Sequence, residues 1–288
     1  MKLLVILLSQ LAIAFCAENR TLFQYIQGHS EFSILEGLLS KAQLSSTLNS
    51  PGTFTLFAPT NDAFNKLPSG MLSNLQSVDT VALSNLLLYH VTNGILIAPL
   101  LTNGMSATSI SNQTINVNKY PNGAVVVQGS TVTGGDIILT NGVLHAISSV
   151  MFPSSLSISQ YMGKDESDYV DLYSALVFTG LEPALASTGT FTIFAPNNDA
   201  FSQQIGGLQS LTADKDAFAN ILKYHVVPQT LFSAGLTDGQ TLTTLQGTDL
   251  TVHIDSTGVH INNALVLKAD QPVTNGVIHM INTILTPV

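Results

Sequence analysis

A thirteen-residue stretch is written twice in this chain, and that repetition limits its possible folds more than any other feature. Gly52-Thr53-Phe54-Thr55-Leu56-Phe57-Ala58-Pro59-Thr60-Asn61-Asp62-Ala63-Phe64 returns as Gly189 to Phe201, with Ile193 in place of Leu56 and Asn197 in place of Thr60. The offset is 137 residues. Tyr89-His90-Val91 recurs as Tyr224-His225-Val226 at an offset of 135, and Thr140-Asn141-Gly142-Val143-Leu144-His145 recurs as Thr274 to His279 at 134. A drift of three residues marks a duplicated domain. Each copy is far longer than a solenoid repeat and is expected to fold by itself. The length of 288 residues agrees with about two domains of ordinary size.

Within each copy the opening is helical. Leu35, Leu39, Leu44 and Leu48 match Leu172, Leu176, Leu181 and Leu185, and their spacing of four and five keeps one face of two short helices apolar. The Thr-Phe-Thr-Leu-Phe alternation that follows predicts a strand, stopped at Pro59 and Pro196. Thr60 or Asn61, and Asn197 or Asn198, are placed to cap a next helix, with Asp62 or Asp199 in its first turn. Asp79 is expected to cap another helix, whose Leu83, Leu86, Leu87 and Val91 match Phe218, Ile221, Leu222 and Val226. Short alternating runs then predict antiparallel strands at 114–117, 124–128, 250–253 and 258–261, with hairpin turns at Asn122-Gly123 and Ser256-Thr257-Gly258. Helices first and strands afterwards give an α+β class. Pro153 to Ser155 is the whole candidate joint between copies.

The beginning of the chain bears on compartment. Lys2, the apolar run Leu3 to Leu8, and the small residues Ala12, Ala14, Cys16 and Ala17 have the order of a secretory signal peptide, with cleavage expected between 14 and 17. The expected division is therefore a leader over 1–17, a first domain over 18–153 and a second over 154–288. Cys16 is the one cysteine, so apolar cores rather than disulfides must stabilise the mature domains. Asn19-Arg20-Thr21 and Asn112-Gln113-Thr114 are glycosylation sequons. The end of the chain, Thr286-Pro287-Val288, has no polar spacer or apolar tail, and a glycosylphosphatidylinositol anchor is not expected.

Charge and motif content narrow the function. The formal net charge is -9 with no basic run, which argues against nucleic acid as a partner, because neutralising phosphates needs clustered cations. The sequence holds no G-x-S-x-G elbow, H-E-x-x-H, Walker loop or dinucleotide fingerprint, so no catalytic residue is assigned and the chain is read as a non-enzyme. His29, His90, His145, His225, His253, His260 and His279 are scattered, without a pair at helical spacing, so neither a metal nor another cofactor is expected. Asp165 and Glu166 read as solvated carboxylates.

The three boxes resemble the fasciclin domain: an F-A-P-T-N-x-A-F box, a Tyr-His pair, and a T-N-G-V-[IL]-H-x-I box, all in order in both copies. The resemblance covers nearly everything after the leader. It implies two tandem fasciclin-like domains, each a β-sheet wedge or sandwich flanked by several short α-helices. It also implies a secreted cell-adhesion protein, associated with the extracellular matrix or cell wall and binding cell-surface or matrix proteins or cell-wall glycans, with self-association allowed. In animal adhesion members the Tyr-His region and an Asp-Ile segment before the last box are associated with integrin binding. By that resemblance Tyr89, His90, Tyr224 and His225 match the first, and Asp136-Ile137-Ile138 matches the second. Asp136 follows Gly134-Gly135 where the animal motif has Glu-Pro, and the second copy reads Asp270-Gln271-Pro272.

A structural reading stands beside this one. His90 and His225 close apolar helices, and pairing with Asp62 and Asp199 would satisfy them as core groups. Asn141-Gly142 and Asn275-Gly276 are expected to form turns of positive φ that His145 and His279 pin. Recurrence in both copies favours maintenance of the fold, since a binding site need occur only once. Two other functions compete with adhesion: a carrier of a small apolar or glycan ligand, and a hydrolase.

Overall fold

The computed structural model describes residues 18–164, 168–187, 189–203 and 212–287, so the leader, Cys16, Asp165 and Glu166 lie outside the described residues. Two compact units divide between Pro153 and Ser154. In the first, helices α1 (Leu22–Gln27), α2 (Ser33–Lys41) and α3 (Ser45–Asn49) precede strand β1 (Phe54–Pro59). Helices α4 (Asn61–Asn65), α5 (Met71–Ser77) and α6 (Thr80–Tyr89) follow it. Strands β2 (Val91–Asn93), β3 (Met105–Thr108), β4 (Thr114–Lys119), β5 (Val125–Val127), β6 (Ser130–Leu139) and β7 (Gly142–Ile147) complete the unit.

The second unit repeats this plan with α7 (Ile158–Met162), α8 (Val170–Thr179), α9 (Glu182–Ala186), β8 (Phe191–Pro196), α10 (Asn198–Ser202) and α11 (Lys215–Tyr224). Its remaining strands are β9 (Val226–Val227), β10 (Thr241–Thr243), β11 (Asp249–Asp255), β12 (Gly258–Ile261), β13 (Ala264–Val273) and β14 (Gly276–Ile281). Each unit is an α+β fold with one seven-stranded sheet and several short helices.

Local chemistry explains the helix starts. Thr21 and Gln24 form a capping box at α1, and Ser157 with Gln160 does the same at α7, each satisfying two otherwise unpaired N–H groups. Asp79 accepts from Val81 N and Ala82 N at α6, and Asp214 caps α11 in the same way. Of the two residues available at α4 and at α10, Thr60 and Asn197 are the caps. Both hairpin turns form near the expected places, with Gly123 at φ 88° and Gly258 at φ 136°.

The sheet departs from the sequence expectation in one respect: it is mixed rather than antiparallel. Its order is β2-β1-β7-β6-β5-β4-β3, and β1 runs parallel to β7, with Phe54 opposite Gly142 and Pro59 opposite Ile147. The second unit repeats this pairing in register, Phe191 opposite Gly276 and Pro196 opposite Ile281. The first and last boxes of each copy are thus neighbours at the centre of one sheet. Alternation in a central strand means two buried faces. Leu56 and Ala58 face a core shared with the helices, which also contains Leu22, Leu35, Leu39 and Leu83. Phe57 belongs to a second core with Tyr89, Ile115, Val127 and Ile147.

That second core exists because the sheet curls. Thr92, on the edge strand β2, bridges to Ser109 just beyond the opposite edge strand β3, and Ile110 N donates to Val91 O at 2.8 Å. In the second unit Leu245 N donates to Val226 O at 2.7 Å. The curl makes the sheet barrel-like and covers edges that would otherwise be open for pairing.

The duplicated fold also exposes a defect. The Thr92 hydroxyl is buried without a hydrogen-bond partner. Thr92 pairs with Thr55 of β1, and the corresponding partner of Thr192 is Val227, which makes no such demand. Thr92→Val, an isosteric removal of an unsatisfied hydroxyl, is therefore expected to stabilise the first unit by roughly 1–2 kcal/mol in urea unfolding. Unchanged or lower stability would show that the hydroxyl is satisfied in solution.

Candidate functional site

The side chains singled out by sequence form a buried polar lattice around the β1–β7 and β8–β14 pairs. Asn141 is 3% exposed. Its Oδ1 accepts from Leu22 N at 2.9 Å, its Nδ2 donates to Leu48 O and Ser50 O, and its carbonyl accepts from Phe54 N. One side chain thereby joins the start of α1, the end of α3 and the sheet. Asn275 repeats this with Ile158 N, Leu185 O, Ser187 O and Phe191 N. The asparagine is an internal clasp rather than a turn former.

The adjacent glycine is required by proximity. A Cβ on Gly142 would lie 2.3 Å from Phe54 O, and one on Gly276 would lie 1.8 Å from Phe191 O. Gly276 also has φ 148°, whereas Gly142 is not in the positive-φ region. The expectation of a positive-φ turn is thus corrected for the first unit: close packing of β1 against β7 demands the glycine there.

His145 and His279 do not pin the Asn-Gly segment. His145 Nε2 donates to Leu96 O at 2.6 Å, and its Nδ1 accepts from Asp136 N at 3.3 Å. His279 bonds Leu231 O and Asp270 N in the same way. Each imidazole ties the segment after the second strand to an irregularity in the long strand beside it, where Asp136 has φ 58° and Asp270 has φ 65°. The aspartates answer in kind. Asp136 Oδ1 accepts from Ala98 N at 2.7 Å and Asp270 Oδ1 accepts from Ser233 N at 2.6 Å, each at a short 3-10 helix.

His90 and His225 are corrected as well. Neither meets the aspartate of the first box: Asp62 and Asp199 are exposed in the first turns of α4 and α10. His90 Nδ1 donates to Leu86 O at 2.9 Å and Nε2 accepts from Met151 N at 3.0 Å. His225 makes the same pair of bonds with Ile221 O and Leu285 N. Buried backbone groups outcompete a carboxylate at a helix start facing water. The residue in the box that does reach across is Asn61, whose Oδ1 accepts from Ile34 N while its Nδ2 donates to Ser30 O. Asn198 accepts from Asp171 N in the second unit.

Tyr89 and Tyr224 are buried, and their hydroxyls donate to Thr114 O at 2.9 Å and Asp249 O at 3.0 Å. All four Tyr-His side chains are thus occupied inside the fold. Asp136, Ile137 and Ile138 are half-buried at the surface, and Ile137 packs on the helix-side core. Asn19 and Asn112 are exposed.

These contacts fix what the histidines can do. Burial lowers His90 and His225 to a pKa of about 4, and burial also lowers His145 and His279. Both nitrogens of each ring are engaged with the backbone, so none of the four offers a lone pair to a metal or substrate. Among the described residues no three His, Cys, Asp or Glu side chains converge as metal ligands.

Two clefts open on the surface. One, of about 480 Å³, lies in the first unit between Glu31, Thr60, Asp62, Lys66 and Ser148. The other, of about 440 Å³, lies in the second unit beside Tyr224, Asp249, Thr251 and Asn263. Both are lined by residues with polar or charged side chains, which expose apolar as well as polar atoms.

The boxes, their burial and their duplication agree with a family match. The fasciclin domain model matches residues 30–153 and again 167–287. The chain belongs to the fasciclin family. It is 33% identical to human periostin over 249 residues, which cover 85% of this chain and 30% of that protein. It is also 33% identical to the pig transforming growth factor-beta-induced protein ig-h3 over 248 residues, 85% of this chain and 36% of that one. The chain thus spans about a third of the length of these curated relatives. A fasciclin-like arabinogalactan protein of the fungus Cercospora beticola is 27% identical over 96% of this chain and 80% of its own length. None of these relatives is named for an enzymatic activity, in keeping with the non-enzymatic reading of the sequence. A solved fasciclin domain pair from an insect cell adhesion molecule aligns at 19% identity, covering 92% of this chain and 96% of that one, with a TM-score of 0.44.

The buried histidines make stability depend on pH. Their folded pKa of about 4 lies below the ordinary 6.5, so the unfolded chain takes up more protons as pH falls through that interval. Stability is expected to be full above pH 6.5 and to decline toward pH 4, by roughly 3 kcal/mol for each ring. Urea unfolding at pH 7, 5.5 and 4.5 measures this, and a flat profile would contradict the burial of neutral rings.

Proposed function

We propose that this protein is a secreted adhesion or matrix-binding protein that makes protein or glycan contacts with the outer surfaces of its two fasciclin units. The relatives support an adhesion- or matrix-related role. Export through a leader over 1–17, cut between 14 and 17, and glycan attachment at Asn19 and Asn112 belong to the same reading.

The observation that carries it furthest is the internal use of the family's boxes. With Tyr89, His90, Tyr224 and His225 buried and hydrogen-bonded, contact with a partner falls to exposed residues. The surface offers the Asp136-Ile137-Ile138 segment, together with exposed apolar side chains such as Val81 and Leu100 in the first unit and Phe178 and Leu267 in the second. Low charge, 9% of residues, leaves Ser, Thr, Asn and Gln to dominate the polar remainder, a composition suited to wet, hydrogen-bonded contacts.

The test is retention of cells, matrix proteins or wall polymers on immobilised protein. Leu100→Asp, at one of the exposed apolar positions, is expected to weaken retention while the thermal midpoint stays near that of the parent. Tyr89→Phe is expected to leave retention intact and to lower stability by about 1 kcal/mol, the worth of one hydroxyl hydrogen bond. No retention of any of these materials by the parent protein would sink the reading.

A further inference from the structure

The second unit holds a cleft whose lining differs from the equivalent positions of its sister copy, on a scaffold that the two share. In both units the buried tyrosine hydroxyl donates to a carbonyl of the fourth or eleventh strand, at Thr114 or Asp249. In both, a residue in left-handed conformation accepts from the same strand through its side-chain carbonyl. Gln128, at φ 47°, accepts from Asn116 N, and Asn262, at φ 51°, accepts from Thr251 N. In both, a buried histidine holds the residue just before the last cleft position, Met151 or Leu285. These shared bonds align the residues around the cleft with those of the first unit position by position.

What differs is the lining. Where the second unit has Asp249, Asn263 and Thr286, the first has Thr114, Gly129 and Phe152. Phe152 is partly buried against the helix-side core, so the first unit turns a ring inward where the second presents a hydroxyl. The cleft of about 440 Å³ is bordered by Asp249, Thr251, Asn262, Asn263 and Thr286 over Tyr224. Its floor is fixed: Asn262 Nδ2 donates to the Tyr224 hydroxyl at 3.0 Å, and that hydroxyl donates to Asp249 O. The walls are not consumed in this way. Among the described residues, the Asp249 carboxylate, the Asn263 amide and the Thr251 and Thr286 hydroxyls make no hydrogen bond of their own.

We propose that this cleft is a binding site for a neutral oligosaccharide, an inference that rests on the contact-surface reading of the protein and assigns one of its partners. The chemistry selects the class. A carboxylate, an amide and two hydroxyls offer both acceptors and donors, the combination that sugar hydroxyl groups, each a donor and an acceptor, can use. Among the described residues no Lys, Arg or His lines the cleft, so phosphate, sulfate and uronate meet no cation there, and Asp249 repels them. An apolar ligand would leave the same groups desolvated and unpaired. The floor, held by the bonds linking Asn262, Tyr224 and Asp249, is in place before a ligand arrives, which limits the share of the ordering cost that falls on it.

The experiment is a titration of the isotope-labelled two-unit chain with xylotetraose, chitotetraose and galactotetraose, with trigalacturonate as the acidic control, followed by amide NMR shifts. At least one neutral sugar is expected to move the amides of 248–251, 262–263 and 286, while Thr114 and Gln128 stay unmoved and trigalacturonate has no effect. Asp249→Asn is expected to weaken binding about tenfold, the loss of one charge-assisted hydrogen bond. Thr286→Arg, at an exposed position, fills the cleft and is expected to abolish binding with the thermal midpoint unchanged. Absence of cleft shifts with every neutral sugar up to about 20 mM, weaker than any useful contact, overturns the proposal. Shifts confined to other surfaces, or tighter binding of trigalacturonate, overturn it as well. Retention of matrix proteins measured on the same Thr286→Arg variant separates the two ideas: loss of sugar with intact protein retention leaves the adhesion reading standing.

Discussion

The parallel contact between the two box strands of each unit is the constraint from which the rest of the fold follows. β1 leaves the helical half and β7 ends the strand-rich half, so their pairing closes the whole unit. It is possible only because Gly142 and Gly276 let the backbones approach to a distance no side chain tolerates. Asn141 and Asn275 then fasten helices to that junction with three side-chain bonds each. A buried amide with all its groups engaged costs nothing in unmet polarity, and its geometry specifies a single arrangement.

Both histidine pairs extend the same logic. A neutral imidazole has one donor and one acceptor at fixed positions, and each of the four meets one backbone carbonyl and one backbone N–H. Leu86 O and Ile221 O lie in the last turns of α6 and α11, where carbonyls lose their helical partners, and the other groups sit in loops or at strand irregularities that no ladder satisfies. The side chains that look most like chemistry in the sequence are therefore substitutes for missing backbone partners.

Much of this was legible in the residues. The duplication, the α+β class, the caps at Asp79 and Thr60 and the hairpin turns are all local patterns, and local patterns survive into the structure. Parallel pairing of boxes more than eighty residues apart is not local, and alternation in a strand says nothing about which partner it takes. The partners of His90 were missed because they are main-chain atoms, Leu86 O and Met151 N, to which every residue type contributes equally. Asp270 offered a usable signal: it stands 134 residues after Asp136, the same offset as the final box, and the structure gives both the same left-handed conformation and role. The clefts left no sequence trace, since their lining is gathered from separate strands and the chain end.

The bond from Met151 N to His90 has a bearing on how the protein is made. On a ribosome the chain appears from its first residue onward, so an imidazole waiting in the nearly finished first unit stays without its acceptor's mate until residue 151 has cleared the exit tunnel. Since β7 and this strap come last, the first unit can mature only as synthesis of the second begins. Its late-forming core then has to find its own β7 before an almost identical strand, β14, is available to compete for β1.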